Sequence, residues 1–320
     1  MRAWRVALTG ATGFIGSAVL RTLLETPRAG RDITVRALAR TPPAGSAVPG
    51  LDWVLGDLTA AGSLRGLVAG ADVLIHLASF IGGDESRCTQ VNVHGCAALM
   101  AEARRAGVKR IIHLSTAAVY GMGPHRGIGV NEVAPAPVSP SSRTRLEGEG
   151  KALAAGGTVL RPGLVLGRGD RWVVPAYAEL LERVPARWDG GRGLLSLVDV
   201  GDLARLITSL ACLAEPPRGI FHAGHPVPVS NGELLAALAA CKVLPPAGSE
   251  SWPWQTCLEQ LRKRPGKMNE RQFSLLARDH WYRSEAVWEA AGCPAGPGAL
   301  ARLGEAAEWY RAHLAALPAR

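Results

Sequence analysis

Val6-Ala7-Leu8-Thr9-Gly10-Ala11-Thr12-Gly13-Phe14-Ile15-Gly16 decides the fold. An apolar, β-branched run ends on a glycine, and a helical pattern begins four residues later at Phe14. That is the signature of a strand, a tight turn and a helix start. Each glycine has its own reason. Gly10 permits the turn, Gly13 lets the backbone approach a bound pyrophosphate, and Gly16 lets the helix pack on the strand. A helix opening on such a turn points free N–H groups and the positive end of its dipole at an anion. Gly10, Thr12, Gly13, Phe14, Ile15 and Gly16 are therefore the expected phosphate-turn residues.

Outward from this turn, short β-branched runs alternate with helical patterns. Strands are expected over 5–9, 33–39, 52–54, 73–77, 110–115 and 158–160, with helices over 14–25, 63–68, 86–105 and 143–155. This alternation predicts an α/β chain, a Rossmann doubly wound parallel sheet, with a smaller, mostly helical C-terminal substrate domain. The expected core runs over 1–165 and is completed by 196–222. Residues 166–195 and 223–320 make the expected substrate-binding part. Within the latter, Ser230 and Glu233 read as a capping box for a helix through Ala240. The stretch 245–290 reads as irregular and rich in Trp and Arg, and a last helix is expected from about Ala299 to Leu314.

A dinucleotide on this turn has its adenosine ribose at the end of the second strand. NAD sites place a carboxylate there. Here the strand reads Val35-Arg36-Ala37-Leu38-Ala39-Arg40, with no acid. Arg40 stands where a guanidinium can grip a 2′-phosphate in two-pronged fashion. NADP(H) is the expected cofactor.

Composition narrows the rest. The chain has 320 residues, 48% of them hydrophobic, enough for one large domain or for a core with a smaller second one. The net charge of +9 is spread along the sequence, with one compact basic cluster at Arg262 to Lys267, so nucleic acid is not an expected partner. The longest apolar runs are too short to span a bilayer, which predicts no membrane partner. The N-terminal segment lacks the pattern of a signal peptide, and a cytoplasmic protein is expected. Six cysteines show no CxxC pair and no histidine spacing suited to zinc, so free thiols and no metal are expected. A monomer and a homodimer remain equally open.

Taken together, the chain resembles the extended short-chain dehydrogenase/reductases, in their epimerase/dehydratase-like branch. The resemblance rests on the glycine turn, Gly56-Asp57-Leu58 after the third strand, and His76-Leu77-Ala78-Ser79 after the fourth. It continues through Asn92-Val93 and Gly95, Ser115 to Gly121, Leu160-Arg161-Pro162-Gly163, Val198 to Asp202, and Trp288 to Gly292. It implies that Asp57 and Leu58 hold the adenine and that Leu77, Ala78 and Ser79 pass beside the riboses. Pro162, Gly163 and Leu164 belong to the cofactor-binding residues it implies. The family's chemistry rests on a Ser or Thr and a Tyr-x-x-x-Lys pair. The hydroxyl slot falls on Thr116. The pair belongs in Pro137-Val138-Ser139-Pro140-Ser141-Ser142-Arg143-Thr144-Arg145, where Ser141 takes the tyrosine slot and Arg145 the lysine slot.

The loss has chemical weight. A phenol ionises near pH 10, a serine hydroxyl is a far weaker acid, and arginine stays protonated. Thr116, Ser141 and Arg145 are thus the candidate catalytic residues, with Arg145 also placed to hold the nicotinamide ribose. His113 and Tyr120 are minor candidates. A ketone beside a phenol can supply its own proton, and fused aromatic polyketides carry such pairs. The sequence is similar to atypical polyketide ketoreductases lacking the tyrosine, which predicts a small-molecule aromatic polyketide as partner. The Trp-rich stretch suits either a flat ligand or core packing. Two rivals stand beside this reading: an NADP(H)-sensing or scaffold relative without catalysis, and a sugar-nucleotide epimerase or dehydratase. The second needs the missing tyrosine.

Overall fold

The computed structural model describes residues 4–25, 33–45 and 48–317. Seven strands form one sheet in the spatial order Gly219–His222, Thr158–Arg161, Arg110–Leu114, Val73–His76, Trp4–Thr9, Ile33–Ala39 and Leu51–Leu55. Every neighbouring pair is parallel. The central strands carry unbroken apolar runs because helices cover both faces; all four residues of Val73–His76 are buried. The chain winds outward from the first strand and then returns to lay the fourth on its other side. The crevice at this reversal opens at the carboxyl ends of the strands, where Gly10 lies.

Helices Phe14–Glu25 and Val200–Cys212 cover one face through Val19, Leu23, Leu206 and Leu210. Helices Ala61–Val68, Cys96–Arg105 and Pro140–Ala154 cover the other through Leu64, Leu67, Leu99 and Ala152. A third core, around Tyr177, Trp188, Phe273, Leu303 and Tyr310, joins helices Val173–Arg183, Asn231–Ala240, Trp254–Lys263, Glu270–Ala277 and Ala299–Ala315. A four-stranded sheet, Val229–Ser230, Leu194–Leu195, His280–Tyr282 and His125–Ile128, lies between the two halves of the chain in sequence.

The expected elements of the first half stand within a few residues of their predicted ends. The Ser230–Glu233 capping box is present. The stretch 245–290 is not irregular: it holds helices Trp254–Lys263, Glu270–Ala277 and Glu285–Ala290 and two short strands. Helices of six to ten residues separated by Pro265 and Gly266 give too few turns for a periodic pattern to stand out. Helix Val173–Arg183 also escapes the pattern, since Pro175 in its first turn reads as a breaker. Asp170 starts that helix by accepting from the N–H groups of Trp172, Val173 and Val174. Leu197–Asp199 pairs with Leu164–Leu166 in a separate ribbon and stays outside the main sheet.

The tryptophans of the same region pack against the protein, Trp288 buried and Trp252, Trp254 and Trp281 partly so. Trp288 is buried and donates to the Gly224 carbonyl at 2.8 Å, and Trp254 lies 4.8 Å from the Phe273 ring. Trp281 closes over Gly127, whose missing side chain makes room for its ring. Packing, and no open stacking platform, accounts for these rings.

Candidate active site and dinucleotide cleft

Gly10 has φ +78°, and a Cβ there would lie 2.7 Å from the Ala78 nitrogen. A Cβ on Gly16 would run into the Gly10 carbonyl oxygen. Neither position tolerates a side chain, so the turn is pressed against the loop after the fourth strand. The Gly13 N–H donates to the Gly10 carbonyl at 2.9 Å and closes it. Leu77 and Ala78 are held from below: the Leu77 N–H donates to the Thr9 carbonyl and the Ala78 N–H to Thr9 Oγ1. This cradle, bare of side chains and opening onto a helix start, fits a pyrophosphate.

The cradle opens into a cleft of about 510 Å³. Gly10, Thr12, Gly13, Arg40, Asp57 and Leu58 line it, as do Leu77, Ala78 and Ser79. Phe14, Ile15 and Gly16 stand behind this wall in the first turn of the helix. Phe80 and Arg87 also line the cleft, the Arg87 guanidinium lying 4.7 Å above the Phe80 ring. Neither carried a spacing signal in the sequence, because the fold alone brings helix Glu85–Cys88 back over the opening.

At the adenosine end, Asp57 Oδ1 accepts from the Thr59 N–H and hydroxyl, both at 2.8 Å. These bonds, with Arg40 and Arg87 nearby, hold its carboxyl below the usual range despite partial burial. Arg40 Nε lies 4.0 Å from Asp57 Oδ2 and its side chain is 73% exposed. The exposed guanidinium is therefore oriented by a carboxylate without being consumed by it.

The candidate catalytic residues gather at the next loops of the same sheet edge. Thr116 caps the short turn Ala117–Tyr120 by accepting from the Ala118 N–H at 3.1 Å. Helix Pro140–Ala154 starts with a capping box between Ser139 and Ser142, which leaves the half-buried Ser141 hydroxyl without a hydrogen bond among the described residues. Arg145, one turn on, donates from Nη2 to the carbonyls of Leu114 and Ser115, at 3.1 and 2.5 Å. Burial lowers its pKa to about 10, so it stays a cation at neutral pH. Its position ties the helix to the end of the fifth strand. The Pro162 carbonyl accepts from the Ala117 N–H, and the Leu164 N–H donates to Ser196. A Cβ on Gly163 would collide with the Ser196 carbonyl. Pro162, Gly163 and Leu164 are thus locked beside Thr116.

Beneath them lies a buried ion pair. Arg161 donates to Glu149 from Nε at 3.0 Å and Nη2 at 2.6 Å, and from Nη1 to the Tyr120 hydroxyl at 2.8 Å. Ser115 Oγ closes on the same carboxylate, and Tyr120 meets His222 Nε2 at 2.8 Å. Tyr120 is 1% exposed and belongs to this network, which removes it from the chemistry. Both side chains of the pair are 2% exposed. Arg161→Met leaves Glu149 uncompensated and is expected to destabilise the fold by about 3–5 kcal/mol, read from urea unfolding. A loss below about 1 kcal/mol would show that the pair is dispensable.

His113 is buried beside His76 on the neighbouring strand, their ring centroids 5.0 Å apart. Burial, with the Arg145 charge adding to it, holds His76 neutral with a pKa of about 4, and burial with the His76 ring and Arg145 nearby also pushes His113 well below its ordinary value. Neither ring opens onto the cleft wall. Cys96 faces both from helix Cys96–Arg105, a meeting invisible in the sequence spacing.

Among the large hydrophobic residues left exposed, Ile81 follows the fourth strand, Met122 the fifth, and Val138 and Trp172 lie just before helices Pro140–Ala154 and Val173–Arg183.

The sequence pattern of the NAD dependent epimerase/dehydratase family matches residues 6–224. The 4-hydroxy-2-methyl-3-oxo-4-farnesyl-3,4-dihydroquinoline-1-oxide ketoreductase of Stigmatella aurantiaca is 32% identical over 212 residues, 62% of each chain. The chain thus spans less than two thirds of that relative's length. The 2-alkyl-3-oxoalkanoate reductase of Stenotrophomonas maltophilia is 31% identical over 260 residues, covering 75% of this chain and 77% of that one. In shape the chain is similar to the dTDP-glucose 4,6-dehydratase DesIV of Streptomyces venezuelae, solved with NAD bound. There the TM-score is 0.71 over 96% of this chain and 97% of that one, at 22% identity, a likeness of fold. The fold, the side-chain-free cradle and the matched pattern agree: this chain belongs to the NAD dependent epimerase/dehydratase family.

Proposed function

We propose that this protein is an NADPH-dependent ketoreductase acting on a polycyclic aromatic polyketide of angucyclinone type in antibiotic biosynthesis. The substrate's own phenol supplies the proton that the family tyrosine gives elsewhere. The observation that carries this reading is the pairing of a dinucleotide cradle with a degenerate acid: Ser141 and Arg145 stand in the tyrosine and lysine slots, and Arg145 is bonded to main-chain carbonyls. Exposed apolar side chains at Ile81, Met122, Val138 and Trp172 suit a flat, lipophilic ligand better than a sugar nucleotide. Two relatives whose names describe ketone reduction support the reaction class.

When bound, the dinucleotide supplies the hydride. The protein's residues then have three tasks. The glycine turn and Arg40 hold the cofactor, the part of the chain beyond residue 165 holds the substrate, and Thr116 with Arg145 steadies the developing negative charge. Donors held in place before the reaction cost no reorganisation during it. The test follows NADPH absorbance with a panel of aromatic ketones carrying a free phenol peri or ortho to the carbonyl. Oxidation supports the reading. Silence across the panel, with tight NADPH binding, replaces it with a sensor or scaffold.

Two substitutions probe the assignment of roles. Arg40→Ala is expected to weaken NADPH by roughly 10- to 100-fold, the worth of a charged hydrogen-bonded contact of about 1.5–3 kcal/mol, while leaving NADH unchanged. Equal losses for both cofactors would remove Arg40 from the 2′-phosphate. Ser141→Ala is expected to change turnover by less than about tenfold, because a serine hydroxyl is too weak an acid to carry the proton. A loss beyond about 10²-fold would make that hydroxyl a participant.

A further inference from the structure

His76, His113 and Cys96 are separated in sequence but meet in one buried pocket beside the Arg145 guanidinium. The parallel register sets His76 against His113, and helix Cys96–Arg105 brings the thiol over them. One nitrogen from each ring and Cys96 Sγ all lie within 4.8 Å of one another. His113 is 5% exposed, and both of its ring nitrogens lack a hydrogen-bond partner. Buried polar atoms nearly always have one, so this ring is short of a ligand. His76 is held by Nδ1, 2.7 Å from Thr9 Oγ1, which leaves Nε2 open to a ligand. Cys96 Sγ meets only the Gly148 carbonyl, at 3.6 Å. Gly148 stands at the pocket wall: a Cβ there would strike the Asn92 carbonyl at 2.7 Å and touch His113 Nε2 at 3.7 Å and Cys96 Sγ at 3.8 Å.

We propose that His76, Cys96 and His113 form a binding site for one soft monovalent metal ion of the Cu(I) type. Thiolate and imidazole together select soft or borderline metals. Structural zinc sites need four ligands, and no fourth is brought here among the described residues. Charge decides the valence. A thiolate cancels the charge of a monovalent ion and leaves the pocket neutral, whereas a divalent ion leaves a net positive charge buried beside Arg145. Binding replaces the S–H bond by a sulfur–metal bond and releases one proton to solvent, with no change in oxidation state. A Thr9 contact on Nδ1 orients the His76 ring as such outer contacts do in metal sites. The inference does not depend on the ketoreductase reading, since nothing in its test measures activity.

The test loads the intact protein with Cu(I) under anaerobic conditions and challenges it with the competing chelator bicinchoninate. Wild type is expected to retain one more equivalent than Cys96→Ala or His113→Phe, with circular dichroism and dinucleotide binding showing that both variants fold. X-ray absorption of the loaded wild type is expected to show two nitrogen neighbours and one sulfur. Equal retention by all three proteins, or a metal shell without nitrogen, would overturn the site. If a variant does not fold, the absorption spectrum of the wild type decides alone.

Discussion

Methylating the phenol beside the reducible carbonyl is expected to lower kcat/KM by at least about 10²-fold, with NADPH affinity unchanged. A positioned acid normally contributes about 10²–10⁴ in rate, and none of the candidate side chains Ser141, Tyr120 and Arg145 suits that role. Ser141 is not acidic enough, Tyr120 is enclosed by Arg161 and His222, and Arg145 keeps its protons. An adjacent phenol is held at the carbonyl oxygen by the ligand's own rings, and such groups reach effective molarities of about 10⁵–10⁸ M. Its pKa near 10 allows transfer to an alkoxide, and solvent returns the proton afterwards. O-methylation keeps the ring system and removes only that proton. The comparison is made at saturating NADPH, and binding of the methylated ketone is measured separately so that a steric loss is recognised. Equal turnover of the free and methylated ketones would place the acid on the protein.

Acidification is expected to unfold the protein over a narrow window. His76, His222 and His280 are each held by burial at a pKa of about 4, against an ordinary value of 6.5. The unfolded chain therefore takes up protons first as pH falls. Stability from these groups is complete above pH 6.5 and is lost progressively down to about pH 4. Each neutral histidine contributes about 1.4 kcal/mol per pH unit in that range, so three together give about 4 kcal/mol per unit. A protein of about 6–10 kcal/mol total stability therefore reaches its midpoint between pH 4 and 5. Asp57 and Asp279, whose pKa values lie below the usual carboxylate range, act only at still lower pH. Urea midpoints measured from pH 7.5 to 4 check this. A flat profile above pH 4.5 would mean that the histidines are protonated without unfolding.

The amino-acid sequence by itself determined the dinucleotide half of this protein. Gly10 and Gly16 sit where any side chain would strike backbone, and apolar strands force a doubly covered sheet. Such local constraints are written residue by residue, which is why Ile33–Ala39 and Phe14–Glu25 have the ends their patterns predict. The Ser141 and Arg145 substitutions were equally legible, because a motif's context survives around the missing pair.

Tertiary structure decided the rest. Short helices Trp254–Lys263 and Glu270–Ala277 gain their stability from the Trp188 and Phe273 core and Glu285–Ala290 from the main-sheet core, and their own periodicity is too brief to announce them. Arg87 reaches the cleft, Tyr120 is withdrawn from it, and His76, Cys96 and His113 converge, all through contacts between distant segments. Strand pairing and burial set those meetings, and burial also shifts the pKa values. Neither quantity exists for a residue until the chain around it has folded.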